Sequence, residues 1–494
     1  DVIIHNYLLE QGIVIPSIKD NVMDKPLVGG HVKEPIPGMY KWVISFDLNS
    51  LYPHLIMQYN ISPETYVGKF DDFPSIDNIL ASDVKYGKAG PDGKTECAIA
   101  ANGCYYRKDF QGFLPALMER MYNDRTKYKK MMLEAKQRYE NNPNSEDEKL
   151  IARYHNMQMA KKIQLNSAYG ALGNQYFRWF NFDLAESITT SGQLSIRWIE
   201  KKLNEYMNKL LKSEGIDYVI ASDTDSIYMD MSSLVSRIGL SDDKSIVDAL
   251  DKFCEEKIQS YIDKCYEELA ERMSAYQQKM KMKRETIANK GIWRKKKMYI
   301  LNAWDIEGVR YEKPKLKING IEAVRSSTPH VCRENIKKAL DIIMNGTESE
   351  LRDFVADFKK EFFDLSFEEV AFPRGVKGLD DYRDASNVYK KKTPIHVKAS
   401  LLFNHYLNEK NITDIPPIQN GDKIKFVYLM VPNGIINDNV IAAPDVLPKE
   451  FKLDKYIDKE MQFTKTFVDP IKSITGVIGW EVEQRSTLEE FLYG

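Results

Sequence analysis

The chain has 494 residues, 43% of them hydrophobic and 29% charged, a balance that excludes an intrinsically disordered protein and predicts several domains or subdomains. The sequence contains no apolar run long enough to cross a bilayer and no signal peptide, so we expect no membrane partner. The five cysteines form no CxxC pair, which argues against structural zinc and favours a reducing compartment. Because the chain begins at Asp1 rather than Met, we expect a piece of a longer protein.

The formal net charge of −2 conceals two basic segments. Residues Lys279 to Lys317 include thirteen Lys and Arg against four Asp and Glu, and residues Arg107 to Lys162 include thirteen against eight. Such local excess on a near-neutral chain suggests a polyanion bound in a defined groove. Solvated helix faces are the alternative for either segment.

Periodicity and composition predict the main elements. In chain order they are a strand over Trp42–Leu48, a helix over Leu114–Glu140, a turn over Asn141–Glu148, a helix over Glu148–Tyr169, an amphipathic helix over Thr189–Leu211, a buried hairpin over Tyr218–Asp230 and a mainly helical region after Thr328. The two basic helices joined by the turn form a predicted helical hairpin.

The hairpin contains two aspartates, Asp223 and Asp225, separated by one residue. In an extended segment such side chains point to the same face. Two carboxylates ~5 Å apart repel by roughly 3 kcal/mol at an effective dielectric of ~20. Either a shared proton or a divalent cation would relieve this repulsion.

A third aspartate, Asp47, ends the strand in the phrase SFDLNSLYPHLI. A single aspartate in this position is usually a cap or turn residue. Together with Asp223 and Asp225, however, it gives three carboxylates at strand ends. This is the ligand type for Mg²⁺, which proteins hold with few carboxylates plus substrate phosphates.

The helical hairpin carries a polar stripe on each helix. Lys162, Asn166 and Tyr169 follow i, i+4, i+7 spacing and so share one face, while Arg125 and Lys129 are four residues apart on the partner helix. These groups suit a phosphate, a polar edge and a flat ring; a surface stripe is the alternative.

A third basic stretch, RKKKMYIL, spans residues 294–301. Lys296, Lys297 and Tyr299 precede an apolar run there. Phosphate contacts are the natural use of such cations, and a solvated edge is the alternative.

Four motifs resemble those of family B (polymerase-alpha-like) DNA polymerases. DLNSLYPHLI resembles the first polymerase motif, Lys162-x-x-x-Asn166-Ser167-x-Tyr169-Gly170 the second, Asp223-Thr224-Asp225-Ser226 the third, and Lys296-Lys297-x-Tyr299 the KKxY element. They occur in the family's order over nearly the whole chain. The phrases GGHVKEPIP, NISPETY, YGALGN and PKLKINGIE resemble those of replicative polymerases from T-even-like bacteriophages.

The resemblance implies an α+β fold shaped like a right hand, acting in the cytoplasm of a bacterial host as a phage-encoded polymerase. The implied parts are a lead-in segment (1–19), an antiparallel-sheet palm (20–110 and 177–325), two-helix fingers (111–176), and a mainly helical thumb (326–494) with a clamp-binding tail. The implied reaction extends a primer 3′-hydroxyl with deoxynucleoside triphosphates by two-metal-ion nucleotidyl transfer.

The resemblance also implies a role for each motif residue. The catalytic residues would be Asp47, Asp223 and Asp225, and two Mg²⁺ ions, with Mn²⁺ as an alternative, would be held by Asp47, Asp225 and the Leu48 carbonyl. The nucleotide would be bound by Arg125, Lys129, Lys162, Asn166 and Tyr169, and Tyr52 would be the steric gate against a ribose 2′-hydroxyl. Primer–template DNA would be contacted by Lys296, Lys297 and Tyr299, and a sliding clamp would be bound by Leu488, Phe491 and Leu492.

The sequence departs from the family in three places. His54 replaces a serine of the first motif, with little expected consequence, and Lys283 stands where phage relatives carry an acidic residue. Only 46 residues precede Asp47, so we expect no proofreading exonuclease in this chain and regard a separate exonuclease polypeptide as a candidate partner. Asp305-Ile306-Glu307 spells an exonuclease motif, but we interpret it as structural because no further exonuclease aspartates follow in order.

The sequence disfavours three rival functions. A catalytically silent DNA-binding module would have lost one of the three aspartates. A calcium loop would not carry Ile227 and Tyr228 after the aspartates, where a ligand and a glycine belong. An RNA-templated polymerase is disfavoured by the aspartate phrase and by the tyrosine gate.

Overall fold

The computed structural model describes residues 2–18, 20–23, 25–86, 95–384, 386–433 and 438–483. The chain divides into two compact units, each with a hydrophobic core of its own. The first comprises Asp1–Ile36, Tyr40–Gly291 and Leu301–Lys315, and the second comprises Pro37–Met39, Ile292–Ile300 and Leu316–Gly494.

Helices form much of both units. Those of the first unit are α1 (Val2–Glu10), α2 (Leu51–Gln58), α3 (Ile76–Ala81), α4 (Phe113–Asn141), α5 (Ser145–Leu172), α6 (Phe182–Leu211), α7 (Ser232–Ile238), α8 (Asp243–Phe253) and α9 (Gln259–Arg272). Those of the second are α10 (His330–Asn345), α11 (Glu348–Phe363), α12 (Phe367–Val370), α13 (Leu379–Tyr382), α14 (Ile395–Glu409), α15 (Lys459–Phe463) and α16 (Asp469–Ile478). Among the described residues, no helix is both long and apolar enough to cross a membrane.

The strands of the described residues form four sheets. In chain order they are β1 (Val32–Lys33), β2 (Gly38–Leu48), β3 (Tyr66–Lys69), β4 (Cys97–Ile99), β5 (Cys104–Arg107), β6 (Val219–Asp223), β7 (Ser226–Asp230), β8 (Met282–Lys295), β9 (Met298–Ile306), β10 (Val309–Asn319), β11 (Phe372–Gly375), β12 (Arg383–Asp384), β13 (Val388–Tyr389), β14 (Lys423–Tyr428) and β15 (Val440–Ala443). The largest sheet has the order β1-β6-β7-β2-β8-β9-β10, with β1–β6, β6–β7 and β2–β7 antiparallel.

The α+β class is confirmed, and so are the predicted helices, with longer bounds. The helix predicted from Glu148 begins at Ser145 because Asn144 accepts a hydrogen bond from the Asp147 N–H at 2.8 Å. The helix predicted from Thr189 begins at Phe182 because Asn181 caps it. Local capping, rather than the apolar period, decides these starts.

The predicted hairpin is β6 and β7, which turn at Thr224. Thr224 has φ 62°, and its N–H donates to the His31 carbonyl at 2.9 Å. Ile227 and Met229 on β7 are fully buried, so the apolar side chains anchor the strands in the core. The two aspartates stand at the end of the pair.

The second unit packs its helices around a three-stranded sheet, β11-β14-β15. The prediction of a mainly helical region after Thr328 is confirmed, but it missed this sheet. Its strands are only four to six residues long. The alternation that identifies a strand is weak over so few residues.

Candidate active site

Asp47 and Asp225 are neighbours because of strand pairing. Asp47, on β2, lies opposite Ser226 on β7, and the N–H of Leu48 donates to the Asp225 carbonyl at 2.8 Å. Asp223 ends β6, and the Asp225 N–H donates to its carbonyl at 2.6 Å. The backbone therefore brings the end of β2 and the turn of the β6–β7 hairpin, two segments that are distant in sequence, to one edge.

The surroundings of the Asp225 carboxyl group disfavour its charged form. Burial, together with the carboxylates of Asp223 and Glu285, raises its pKa to about 6, and Lys162 acts in the opposite direction. Glu285, on β8, accepts a hydrogen bond from Ser45 Oγ at 3.2 Å. Such a site favours a cation.

A cavity of about 410 Å³ in the first unit collects most of the predicted site residues. Asp47 and Asp225 line it together with all six residues predicted to bind the nucleotide: Tyr52, Arg125, Lys129, Lys162, Asn166 and Tyr169. Asp223 and Leu48 are not among its lining residues. The stripes of α4 and α5 thus meet the two aspartates in one space.

The basic side chains of α4 are already paired. Arg125 donates to the Ser50 hydroxyl, and Lys129 Nζ lies 2.7 Å from Glu307 Oε1. Burial lowers the pKa of Arg125, while the carboxylates of Glu307 and Asp47 act to raise it. Both cations are therefore held at the cavity wall by protein groups.

Tyr52 is fixed between two helices. Its ring lies 4.7 Å from that of Tyr169, measured between centroids, with a tilt of 58°. On its other side, a methyl group at Gly192 of α6 would lie 3.3 Å from Tyr52 Cε1. Burial raises the pKa of Tyr52 to about 12, so the phenol is neutral.

The donor set at this edge fits a hard divalent cation. Among the described residues, no group of three or more His, Cys, Asp or Glu side chains could hold a metal ion unaided. Two adjacent half-buried carboxylates are nevertheless what Mg²⁺ takes from a protein when substrate phosphates complete its shell. Because burial and neighbouring carboxylates raise the pKa of Asp225, a nearby cation would stabilise its charged form.

Sequence reasoning missed Glu285 and Glu307 as lining residues of the cavity. In the sequence, Glu285 is a single acidic residue upstream of a basic stretch, and nothing in that pattern indicates a site. Glu307 belongs to the DIE phrase, whose Asp305 has a structural role: it is 1% exposed and pairs with Arg284 and Arg310 at 2.5 and 3.2 Å. The sequence carried no sign that the strand turn would point its glutamate into the cavity.

The remaining predicted residues lie elsewhere. Lys296 and Lys297 form the exposed turn between β8 and β9 in the second unit. Tyr299 is buried and stacks on Trp293, with centroids 5.6 Å apart. The predicted clamp residues Leu488, Phe491 and Leu492 lie outside the described residues, so their role stays a prediction.

The comparison with known families agrees with this geometry. The family model of DNA polymerase family B matches residues 2–476. The chain belongs to DNA polymerase family B. The resemblance inferred from the motifs is therefore confirmed, and dependence on a divalent metal is general in family B.

The family B relatives include two phage enzymes. The DNA-directed DNA polymerase of Escherichia phage RB69 is 34% identical over 99% of this chain and 59% of its own length. That of Enterobacteria phage T4 is 30% identical over 98% of this chain and 60% of its own length. DNA polymerase 1 of Pyrococcus abyssi is 29% identical over 88% of this chain and 46% of its own. This chain thus spans about three fifths of the phage relatives.

His54 gives a testable consequence of burial beside the site. Its Nδ1 lies 3.0 Å from the Ser50 carbonyl, and its ring meets that of Tyr122 edge-on at 4.3 Å. Burial, with help from Lys279, lowers the pKa of His54 from 6.5 to about 4. As the pH falls, the His54 imidazole takes up a proton at a higher pH in the unfolded chain than in the folded chain. Protonation of His54 therefore favours unfolding.

We therefore expect the free energy of unfolding to fall by about 3 kcal/mol through this group as pH drops from 6.5 to about 4. His54→Gln should remove that part of the pH dependence in urea unfolding curves. The exposed His405, changed to Gln, is the control and should leave it intact. Identical pH profiles for wild type and His54→Gln would contradict this reading.

Proposed function

We propose that this chain is a template-directed DNA polymerase that extends a primer 3′-hydroxyl with deoxynucleoside triphosphates. The observation that carries the proposal is the cavity in which two adjacent aspartates meet three cations from a helical hairpin. Its charged lining comprises four carboxylates and three cations, a formal balance of −1. Such a space suits a metal-bound polyanion rather than a neutral ligand.

Asp47, Asp225 and the Leu48 carbonyl would hold Mg²⁺, with Mn²⁺ as an alternative. When bound, two such ions lower the pKa of an attacking hydroxyl and stabilise a leaving pyrophosphate. Asp223 tunes the site because its negative charge raises the pKa of Asp225. By fixing where the ions would bind, Asp47 and Asp225 would set the in-line geometry of the hydroxyl and the α-phosphate.

The hairpin residues bind the nucleotide. Arg125, Lys129 and Lys162 neutralise the triphosphate, Asn166 seats it and Tyr169 contacts the nascent base pair. Tyr52, held between Tyr169 and Gly192, fills the space that a ribose 2′-hydroxyl would need. Because both neighbours prevent its ring from retreating, deoxynucleotides are preferred.

The parts of the chain take the roles of a right hand. Residues 111–176 would be fingers that close on the nucleotide, residues 20–110 and 177–325 the palm, and residues 326–494 the thumb. Closure of a two-helix hairpin excludes water and checks the base pair before chemistry. Residues 1–19 lead into the palm.

The second unit would hold the primer–template duplex. Lys296 and Lys297 would contact it near the primer terminus, with Tyr299 buried beneath them as support. The same unit contains a cavity of about 520 Å³ whose lining includes Arg294, Arg325 and Arg374. These guanidinium groups suit backbone phosphates, which carry most of a polymerase's sequence-independent affinity.

Further partners remain predictions: a sliding clamp at the C-terminal tail and a separate exonuclease polypeptide. The phage relatives support action in the cytoplasm of an infected bacterium. The rival function, a catalytically silent DNA-binding module, is disfavoured because Asp47, Asp223 and Asp225 are all present.

Replacing Asp225 by Asn should lower the rate of primer extension by about 1,000-fold or more, because the proposed metal site loses one of its two carboxylate charges. Binding of the primer–template, followed by fluorescence anisotropy, should stay within about two-fold. Asp263→Asn, on the exposed face of α9, is the control. Extension near the wild-type rate by Asp225→Asn with Mg²⁺ would sink the metal assignment.

Replacing Tyr52 by Ala should raise incorporation of ribonucleotides relative to deoxynucleotides by at least about ten-fold, because the site then has room for a 2′-hydroxyl. The ratio of kcat/KM values for the two sugars measures this effect. Tyr52→Phe keeps the ring and should keep the selectivity. An unchanged ratio in Tyr52→Ala would reject the gate.

A further inference from the structure

The pair between Lys129 and Glu307 lies inside the proposed nucleotide site. Lys129 Nζ and Glu307 Oε1 are 2.7 Å apart, and each side chain is 31% exposed. Lys129 stands on α4, whereas Glu307 stands on the turn between β9 and β10. A cation proposed to bind the triphosphate is thus paired with a protein carboxylate.

The turn that carries Glu307 is rigidly built. Glu307 has φ 54°, a conformation that non-glycine residues rarely adopt, and its N–H donates to the Glu285 carbonyl at 2.6 Å. The next residue, Gly308, donates its N–H to Asp305 Oδ1 at 3.0 Å. The buried carboxylate of Asp305 is in turn paired with Arg284 and Arg310. Strained backbone persists where its surroundings determine it in this way, often at functional sites.

Other contacts join α4 to β10 but lie away from the cavity. The Arg310 N–H donates to Gln137 Oε1 at 3.1 Å, and Lys315 Nζ lies 2.6 Å from Glu140 Oε1. Of the three, only the Lys129–Glu307 pair has both partners in the cavity lining. Its position therefore calls for an explanation other than docking.

We propose that Glu307 is a positioning residue that competes with phosphate for Lys129. This inference rests on the proposed function and deepens it. An incoming triphosphate displaces the carboxylate from the ammonium group. Once the primer 3′-oxygen has bonded to the α-phosphorus and the bond between the α- and β-phosphates has broken, the carboxylate returns to Lys129 and favours release of the pyrophosphate. Glu307 thereby weakens nucleotide binding and product binding together.

The charge of Glu307 reaches the neighbouring cation as well. It is one of two carboxylates that act to raise the pKa of Arg125. Removing this charge leaves Arg125 and Lys129 with less compensation and makes the cavity more attractive to polyphosphates. The expected effect is therefore tighter binding, whereas loss of a structural contact would weaken binding.

The test compares wild type, Glu307→Gln, Lys129→Ala and the double variant in primer extension. Glu307→Gln should lower the KM for deoxynucleotides and the inhibition constant of pyrophosphate by about two- to five-fold each, the range expected for a half-exposed ion pair. In the Lys129→Ala background the same change should have a clearly smaller effect, because only the action of the Glu307 charge on Arg125 remains. Glu140→Gln, which breaks the outer pair, is the matched control and should leave both constants unchanged.

Equal or higher constants in Glu307→Gln, or the same change in both backgrounds, would overturn the proposal. Glu307→Asp, which withdraws the carboxylate by one methylene, should shift both constants in the same direction but less, and serves if the Gln variant does not fold.

A separate measurement distinguishes failure of this inference from failure of the proposed function. Calorimetric titration with inorganic tripolyphosphate needs no catalysis. Tighter binding by Glu307→Gln than by wild type would support the competition even if the chain did not extend primers. Equal binding would refute it even if the chain did.

Discussion

The register between β2 and β7 is the constraint on which the site depends. It sets Asp47 opposite Ser226 and joins the Leu48 N–H to the Asp225 carbonyl. A slip of one residue would turn Asp47 to the opposite face of the sheet. Ile44 and Phe46 on β2 are fully buried, so such a slip would also remove these side chains from their packing in the core. Hydrophobic packing thus maintains an arrangement of charges that repel one another.

The helical hairpin supplies the opposite charge. Helix α4 buries Leu114, Leu117 and Met121 at its first turns, while its later turns project Arg125 and Lys129 beside the aspartates. The carboxylates favour a metal ion and the cations favour phosphate, so each ligand improves the site for the other. In the proposed function, the Glu307 carboxylate would compete with phosphate for Lys129 and so keep polyphosphate binding reversible.

Much of the site could be predicted from the sequence because several of its residues lie at regular spacing within one helix. Lys162, Asn166 and Tyr169 share a helix face by spacing alone, and they share the cavity wall. The contribution of Glu307 could not be predicted, since it depends on a left-handed turn held by Asp305, Arg284 and Arg310 from separate segments. The small sheet of the second unit was missed because its strands are short. Contacts between distant segments produce no periodic pattern in the sequence, so they could not be predicted from it.

Crystallography with manganese tests the central claim most directly. The chain would be crystallised with Mn²⁺, a dideoxy-terminated primer–template and the next deoxynucleotide, and anomalous scattering would locate the metal. The account predicts density between the carboxylates of Asp47 and Asp225, in contact with the triphosphate. Manganese bound elsewhere, with these two side chains apart, would contradict it.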